Sequence, residues 1–106
     1  METLSIEEER MPAGNVCLRV GGSLDRSAAY ELRDRILGLG TQELVLDFSK
    51  IGHADDVALS VLAMWLADRN QSKLKVQLVG LDHHARRILQ VFGVDTEVGL
   101  GVNQAI

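Results

Sequence analysis

The chain has 106 residues, 46% of them hydrophobic, which fits one compact domain that buries somewhat under roughly 70% of its unfolded surface and leaves no room for a second core. Eleven Lys and Arg against fifteen Asp and Glu give a formal charge of −4, an acidic balance that offers nothing to nucleic acid or anionic membranes and points to proteins as partners. A lone Cys17 excludes an internal disulfide and a cysteine metal cluster and agrees with a reducing, cytoplasmic setting.

The opening segment, METLSIEEERMP, has neither the basic flank nor the apolar core of a signal peptide. It alternates apolar with polar, and Leu4 and Ile6 with their neighbouring acids predict a short strand. A turn at Pro12-Ala13-Gly14-Asn15 and a second strand over Val16 to Val20 complete a hairpin. Gly21 and Gly22 stop that strand. Asp25 then caps a helix whose apolar positions Ala28, Ala29, Leu32, Ile36 and Leu39 recur at helical spacing, with Gly38 and Gly40 at its end.

Glu43 to Phe48 predicts a third strand, and its continuously apolar centre, Leu44-Val45-Leu46, is the pattern of a strand covered on both faces. A loop from Asp47 leads to Asp55 and Asp56 at the start of a second helix. From Val57 to Ala67 that helix is apolar except for Ser60. It falls short of the about 20 residues that span a bilayer, so no membrane insertion is expected.

A polar turn, Asn70-Gln71-Ser72-Lys73, precedes a strand over Leu74 to Val79. Asp82 caps a third helix with Ala85, Ile88, Leu89 and Phe92 inward and Gly93 as its stop. Thr96 to Leu100 suits a short edge strand, with Val102 to Ile106 fraying. No linker, repeat or low-complexity stretch interrupts the sequence, so a single domain over residues 1–106 is expected.

The order β-β-α-β-α-β-α defines an α/β fold: a small mixed sheet of four to five strands with helices packed on it. In such sheets sites gather beyond the carboxyl ends of the strands. Three loops arrive there and bring Asp25, Asp47, Asp55, Asp56 and Asp82 to one acidic edge. The mouth of the second helix is the focus, because a helix N-terminus carries roughly half a positive charge and unpaired N–H groups.

Gly22-Ser23-Leu24-Asp25 before an amphipathic helix, Leu46-Asp47-Phe48-Ser49-Lys50-Ile51, and Ala54-Asp55-Asp56-Val57-Ala58-Leu59 opening the next helix resemble the STAS domain (sulfate transporter and anti-sigma factor antagonist) of freestanding bacterial type. The similarity runs from about Leu4 to Val98. It implies a small α/β sandwich that docks onto a partner, often a kinase-type anti-sigma factor, in signal transduction and transcription regulation. In antagonists of this family the helix-opening loop reads approximately Asp-Ser-Ser-Gly-Leu, and its first serine accepts a phosphate. Asp55 falls on the leading Asp, Asp56 on that serine, Val57 on the second serine and Ala58 on the Gly.

With the acceptor hydroxyl gone, Asp56 supplies one permanent negative charge where phosphoserine carries about −1.5 to −2. Two readings stand side by side: a locked signalling state, or a helix cap worth about 1 kcal/mol over Ala. The all-apolar second helix needs only one inward stripe. An inward set of Val57, Val61, Met64 and Leu66, or the rows beside it, leaves members of Leu59, Leu62, Ala63 and Trp65 partly outward, and such a patch marks a protein interface. The candidate partner-binding set is therefore Asp25, Asp55, Asp56, Val57, Leu59, Leu62 and Trp65, with a second copy of the chain among the candidate partners.

His83-His84 with Arg86-Arg87 reads as a solvated basic face of the third helix. Adjacent histidines on a helix point about 100° apart, and with His53 and Cys17 they match no metal-ligand spacing. No phosphate cradle or nucleophile elbow is present in the sequence. The expectation is a non-catalytic interaction module without cofactor or metal. One alternative is a small cytoplasmic STAS subunit of an ABC-type lipid transport system that grips the ATPase. An alternative from another class is a Mg-binding phosphoacceptor domain built on the acidic edge.

Overall fold

The computed structural model describes residues 3–40, 43–69 and 75–94, with side chains of residues 68 and 69 left aside. Seven elements follow one another: β1 (Ser5–Arg10), β2 (Val16–Leu24), α1 (Arg26–Leu37), β3 (Glu43–Ala54), α2 (Asp56–Arg69), β4 (Lys75–Val79) and α3 (His83–Val91). The strands form one mixed sheet in the order β1-β2-β3-β4, with β1 antiparallel to β2 and the other two pairings parallel. The expected turn at residues 70–73 and the edge strand at 96–100 lie outside the described residues.

Alternation along the strands decides where the core sits. Val16, Leu18 and Val20 of β2, Leu44, Leu46 and Phe48 of β3, and Leu78 of β4 join the inward residues of all three helices in one buried cluster. The intervening residues, Arg19, Val45, Asp47, Gln77 and Val79, are only half-buried and share the opposite face. The central run of β3 had suggested a strand covered equally on both sides. Among the described residues the helices cover one face, and Val45 is apolar because it sits between Cys17 and Gln77 on the other. There Arg19 Nη2 donates to Glu9 Oε1 at 2.6 Å, and this contact raises the affinity of the guanidinium for its proton. Burial raises the pKa of the Cys17 thiol.

Two strands outrun their sequence-based bounds. β2 continues through Gly21 and Gly22 to Leu24 instead of stopping at the glycines. Gly22 is required there because its φ is +84° and a Cβ would collide with the Thr3 carbonyl as the chain passes over it. β3 runs to Ala54 instead of Phe48. Its register against β2 slips twice: Arg19 to Gly21 faces Asp47 to Lys50, and Gly22 to Ser23 faces Ile51 to His53. Each slip adds a residue to β3, so the even alternation that identifies a strand is broken and the segment reads as a loop.

Candidate functional site

The bulged end of β3 delivers the mouth of α2. Asp55 holds the N-cap position, since its carbonyl accepts the Leu59 amide at 2.9 Å, and its own N–H donates to the Leu24 carbonyl at 3.0 Å. Asp56 is thus the first helical residue and not the cap. Asp25 caps α1 by accepting the Ala28 amide at 2.8 Å, and Asp82 caps α3 by accepting the Ala85 amide at the same distance. These two acids are occupied in capping the starts of their helices, as their sequence positions imply.

The adjacent acids of α2 are engaged differently. The Asp55 carboxylate meets His53 Nε2 at 3.0 Å, and Asp56 Oδ1 meets His84 Nε2 at 2.8 Å. Their side chains remain 48% and 68% exposed, so each presents charge to solvent while an imidazole holds its orientation. His84 comes from α3, 28 residues away, and ties the starts of α2 and α3 together. Neither histidine is in the candidate partner-binding set that the sequence suggests. His53 is two residues before Asp55 on the strand, a spacing that places both on one side and was readable; His84 carried no local signal.

Asp47 is not at this edge. It lies within β3, paired in register with Arg19 and Val79 on the open sheet face, and its Oδ1 accepts the Ser49 amide at 2.9 Å and the Ser49 hydroxyl at 2.7 Å. It braces the first bulge. The expected acidic edge therefore consists of Asp25, Asp55, Asp56 and Asp82. Among the described residues, no three His, Cys, Asp or Glu side chains gather in a way that holds a metal ion.

The phase of α2 differs from the expected one. Ala58, Leu59, Leu62, Ala63 and Leu66 face the core, whereas Val57 and Met64 are 57% and 56% exposed and Val61 and Trp65 are half-buried. Leu59 and Leu62 are accordingly core residues, which corrects their expected outward placement; Val57 and Met64 lie on the exposed face of the helix and Trp65 at its border. α2 lies between α1 and α3 and buries rows against both, so the inward arc is wide and the outward stripe is Asp56, Val57, Ser60, Val61 and Met64. Ser60 is turned back, its hydroxyl donating to the Asp56 carbonyl at 2.9 Å. No described helix is long and apolar enough to cross a membrane.

With this geometry in view, the chain belongs to the STAS domain family: the family model described as "Mlab, STAS domain" matches residues 8–102. Similar solved structures include SpoIIAA, an anti-sigma factor antagonist in its unphosphorylated form (TM-score 0.64, 15% identity, 96% of this chain and 98% of that one). An anti-sigma factor antagonist from Mycobacterium paratuberculosis gives 0.66 and 21%, over 90% of this chain and 82% of that one. A Ser-to-Glu variant of RsbS from Moorella thermoacetica gives 0.61 and 21%, over 87% and 80%. At these identities the likeness is one of fold. A comparison with curated proteins found no match.

Proposed function

We propose that this chain is a non-catalytic docking module, an anti-sigma factor antagonist-like regulator of the bacterial cytoplasm, that engages a protein through the mouth and outward stripe of α2. The observation that carries this reading is the continuity of Asp56, Val57 and Met64 on one exposed helical face. Charge at one end and uncovered apolar area along the rest is the composition of a protein interface and is costly to leave facing water. By the resemblance of the helix-opening loop, Asp56 stands where the antagonists carry their phosphorylated serine, and its carboxylate is held by His84. On this reading the module stands in one signalling state, bound to a kinase-like anti-sigma factor without a phosphorylation cycle at α2.

The second reading, a small STAS subunit gripping the ATPase of an ABC-type lipid transport system, is favoured by one observation. The hydroxyls of Ser49 and Ser60 already donate to Asp47 and to the Asp56 carbonyl, and a transport subunit needs no phosphoacceptor. Capture of partners by the tagged protein, followed by their identification, separates the two readings. An anti-sigma kinase supports the first and an ABC ATPase the second. Met64→Asp is expected to abolish capture of either. Asp56→Ser is expected to restore kinase labelling only in the first. Capture that is indifferent to Met64→Asp removes α2 as the docking surface.

A further inference from the structure

Beside the mouth of α2, a cleft of about 270 Å³ opens between the bulged end of β3, the turn at Gly80 and the first turn of α3. Gly80 makes the turn possible: its φ is +79°, and a Cβ would collide with the Ser49 backbone that it crosses. The buried Leu24, Phe48, Leu59 and Ala85 back the cleft, and the half-buried Ile51, Ala54 and Leu81 supply apolar wall, so its lining is mixed, with apolar and polar surface in similar measure. Its polar lining includes His53, His84, Ser49 and Asp82, and no Lys or Arg is among the described residues that line it. Both imidazoles are those that hold Asp55 and Asp56, so two His–Asp pairs frame a hollow of mixed lining and turn their carboxylates to solvent.

The charge and size of this hollow select its occupant. An anion entering it meets the carboxylate of Asp82 in the lining and those of Asp55 and Asp56 at the lip, whole charges that outweigh the partial positive charge of the α2 and α3 N-termini, and no Lys or Arg among the described lining residues offsets them, so the rim disfavours it. The volume lies just under the roughly 300 Å³ at which pockets begin to enclose a drug-sized molecule. It suits instead a single large side chain reaching down from a surface laid over α2, the way interface anchors fill pockets. A cationic side chain next to that anchor finds the exposed Asp56 carboxylate, and the charge-assisted hydrogen bond would be stronger than a neutral one.

We propose that the cleft is the anchor point of the docking surface, receiving one Phe or Leu side chain from a partner segment whose neighbouring Arg or Lys bonds Asp56. The proposal rests on the docking reading of α2 and supplies the partner's chemistry: a basic-apolar segment, not an acidic or phosphorylated one. His84 is a positioning residue here, holding the Asp56 carboxylate at the lip.

The test uses the full chain, labelled with nitrogen-15, and three end-blocked tripeptides, Arg-Phe-Arg, Arg-Gly-Arg and Glu-Phe-Glu, at low salt. Arg-Phe-Arg is expected to give saturable amide shifts confined to Gly52, His53, Asp56, Leu81 and His84. Arg-Gly-Arg is expected to bind about tenfold more weakly, the ratio that about 1.4 kcal/mol represents, and Glu-Phe-Glu to leave the spectrum unchanged. Asp56→Asn should weaken Arg-Phe-Arg while the rest of the spectrum stays in place, and Ala54→Phe, at the wall of the cleft, should abolish its binding. Equal binding of Arg-Gly-Arg, binding of Glu-Phe-Glu, shifts scattered over α1 and the sheet, or no saturable binding by any of the three overturns the anchor. If partner capture still depends on Met64 while the cleft ignores the peptides, the anchor fails and the docking surface stands. If Arg-Phe-Arg fills the cleft while capture ignores Met64, the docking reading of α2 fails instead.

Discussion

α2 and α3 pack side by side on the same sheet, yet they are opposite in how their sequences encode orientation. α3 carries His83, His84, Arg87 and Gln90 on one side and Ala85 and Leu89 on the other, so its pattern fixes which face turns inward. α2 is apolar around its circumference from Val57 to Ala67 apart from Ser60. Its pattern therefore identifies a helix without stating its phase. The phase comes from tertiary packing: two flanking helices and the sheet choose Leu59, Leu62 and Leu66 as the inward row. Apolar character in excess of what the core uses is also what leaves Val57 and Met64 outside, so the feature that hides orientation is the one on which the proposed docking face rests.

The contrast between inward and outward rows of α2 is open to a direct attempt to break it. Leu62→Ala removes a side chain that is fully enclosed and is expected to cost about 2–5 kcal/mol. Met64→Ala, two residues on, is expected to stay within about 0.5 kcal/mol of the parent. Urea unfolding of the two variants reads both, and similar losses would mean that the helix sits in another phase. Gly80→Ala comes next. Forcing an L side chain to φ +79° against the Ser49 backbone is expected to cost about 1–3 kcal/mol, and the same measurement checks it.

Smaller effects sharpen the comparison at the helix starts. Asp82 is an N-cap whose carboxylate holds the Ala85 amide, so Asp82→Ala should lower stability by about 1 kcal/mol. Asp56 is past the cap and makes an exposed contact with His84, so Asp56→Ala should cost no more than about 1 kcal/mol while partner capture falls sharply. An Asp56 variant that is as destabilised as the Asp82 variant and binds normally would return Asp56 to a purely structural role.

The sequence was legible wherever one local rule acts alone. Asp25 and Asp82 announce their helices because a short acid before a periodic run has one dominant use, and both cap as read. The end of α3 is a mixed case. Gly93 turns the chain with φ +88°, its N–H donating to the Gln90 carbonyl and that of Val94 to the Leu89 carbonyl. Phe92, expected inward by continuing the helical row, sits at the cap and is exposed, and Val94 takes a buried place after the turn. At the site the limits were of another kind. Two bulges make the end of β3 look like a loop in sequence, which places Asp47 at an edge that it does not occupy in the structure. His84 was read as part of a solvated face because its partner is 28 residues away and no periodicity links them.

The sheet offers the last contrast, between its covered face and its open one. Cys17 lies on the open face but is itself buried, flanked in register by Glu9 and Val45. Desolvation is the main cause that lifts its pKa, with Arg19 opposing and Asp47 and Glu9 reinforcing the rise. A thiol held in its protonated form is a poor nucleophile, so a thiol-reactive disulfide reagent should label Cys17 slowly in the native protein at neutral pH and rapidly in urea. The linkage has a definite sign. A raised folded-state pKa contributes stability that is present below the unfolded thiol's ordinary value and is lost as pH climbs through the folded one. The parent should therefore lose stability on the alkaline side of the thiol range more steeply than Cys17→Ala does. Fast native labelling, or parallel alkaline profiles, would mean that water reaches Cys17 and that the open face is less closed around it than its neighbours Val45 and Arg19 make it.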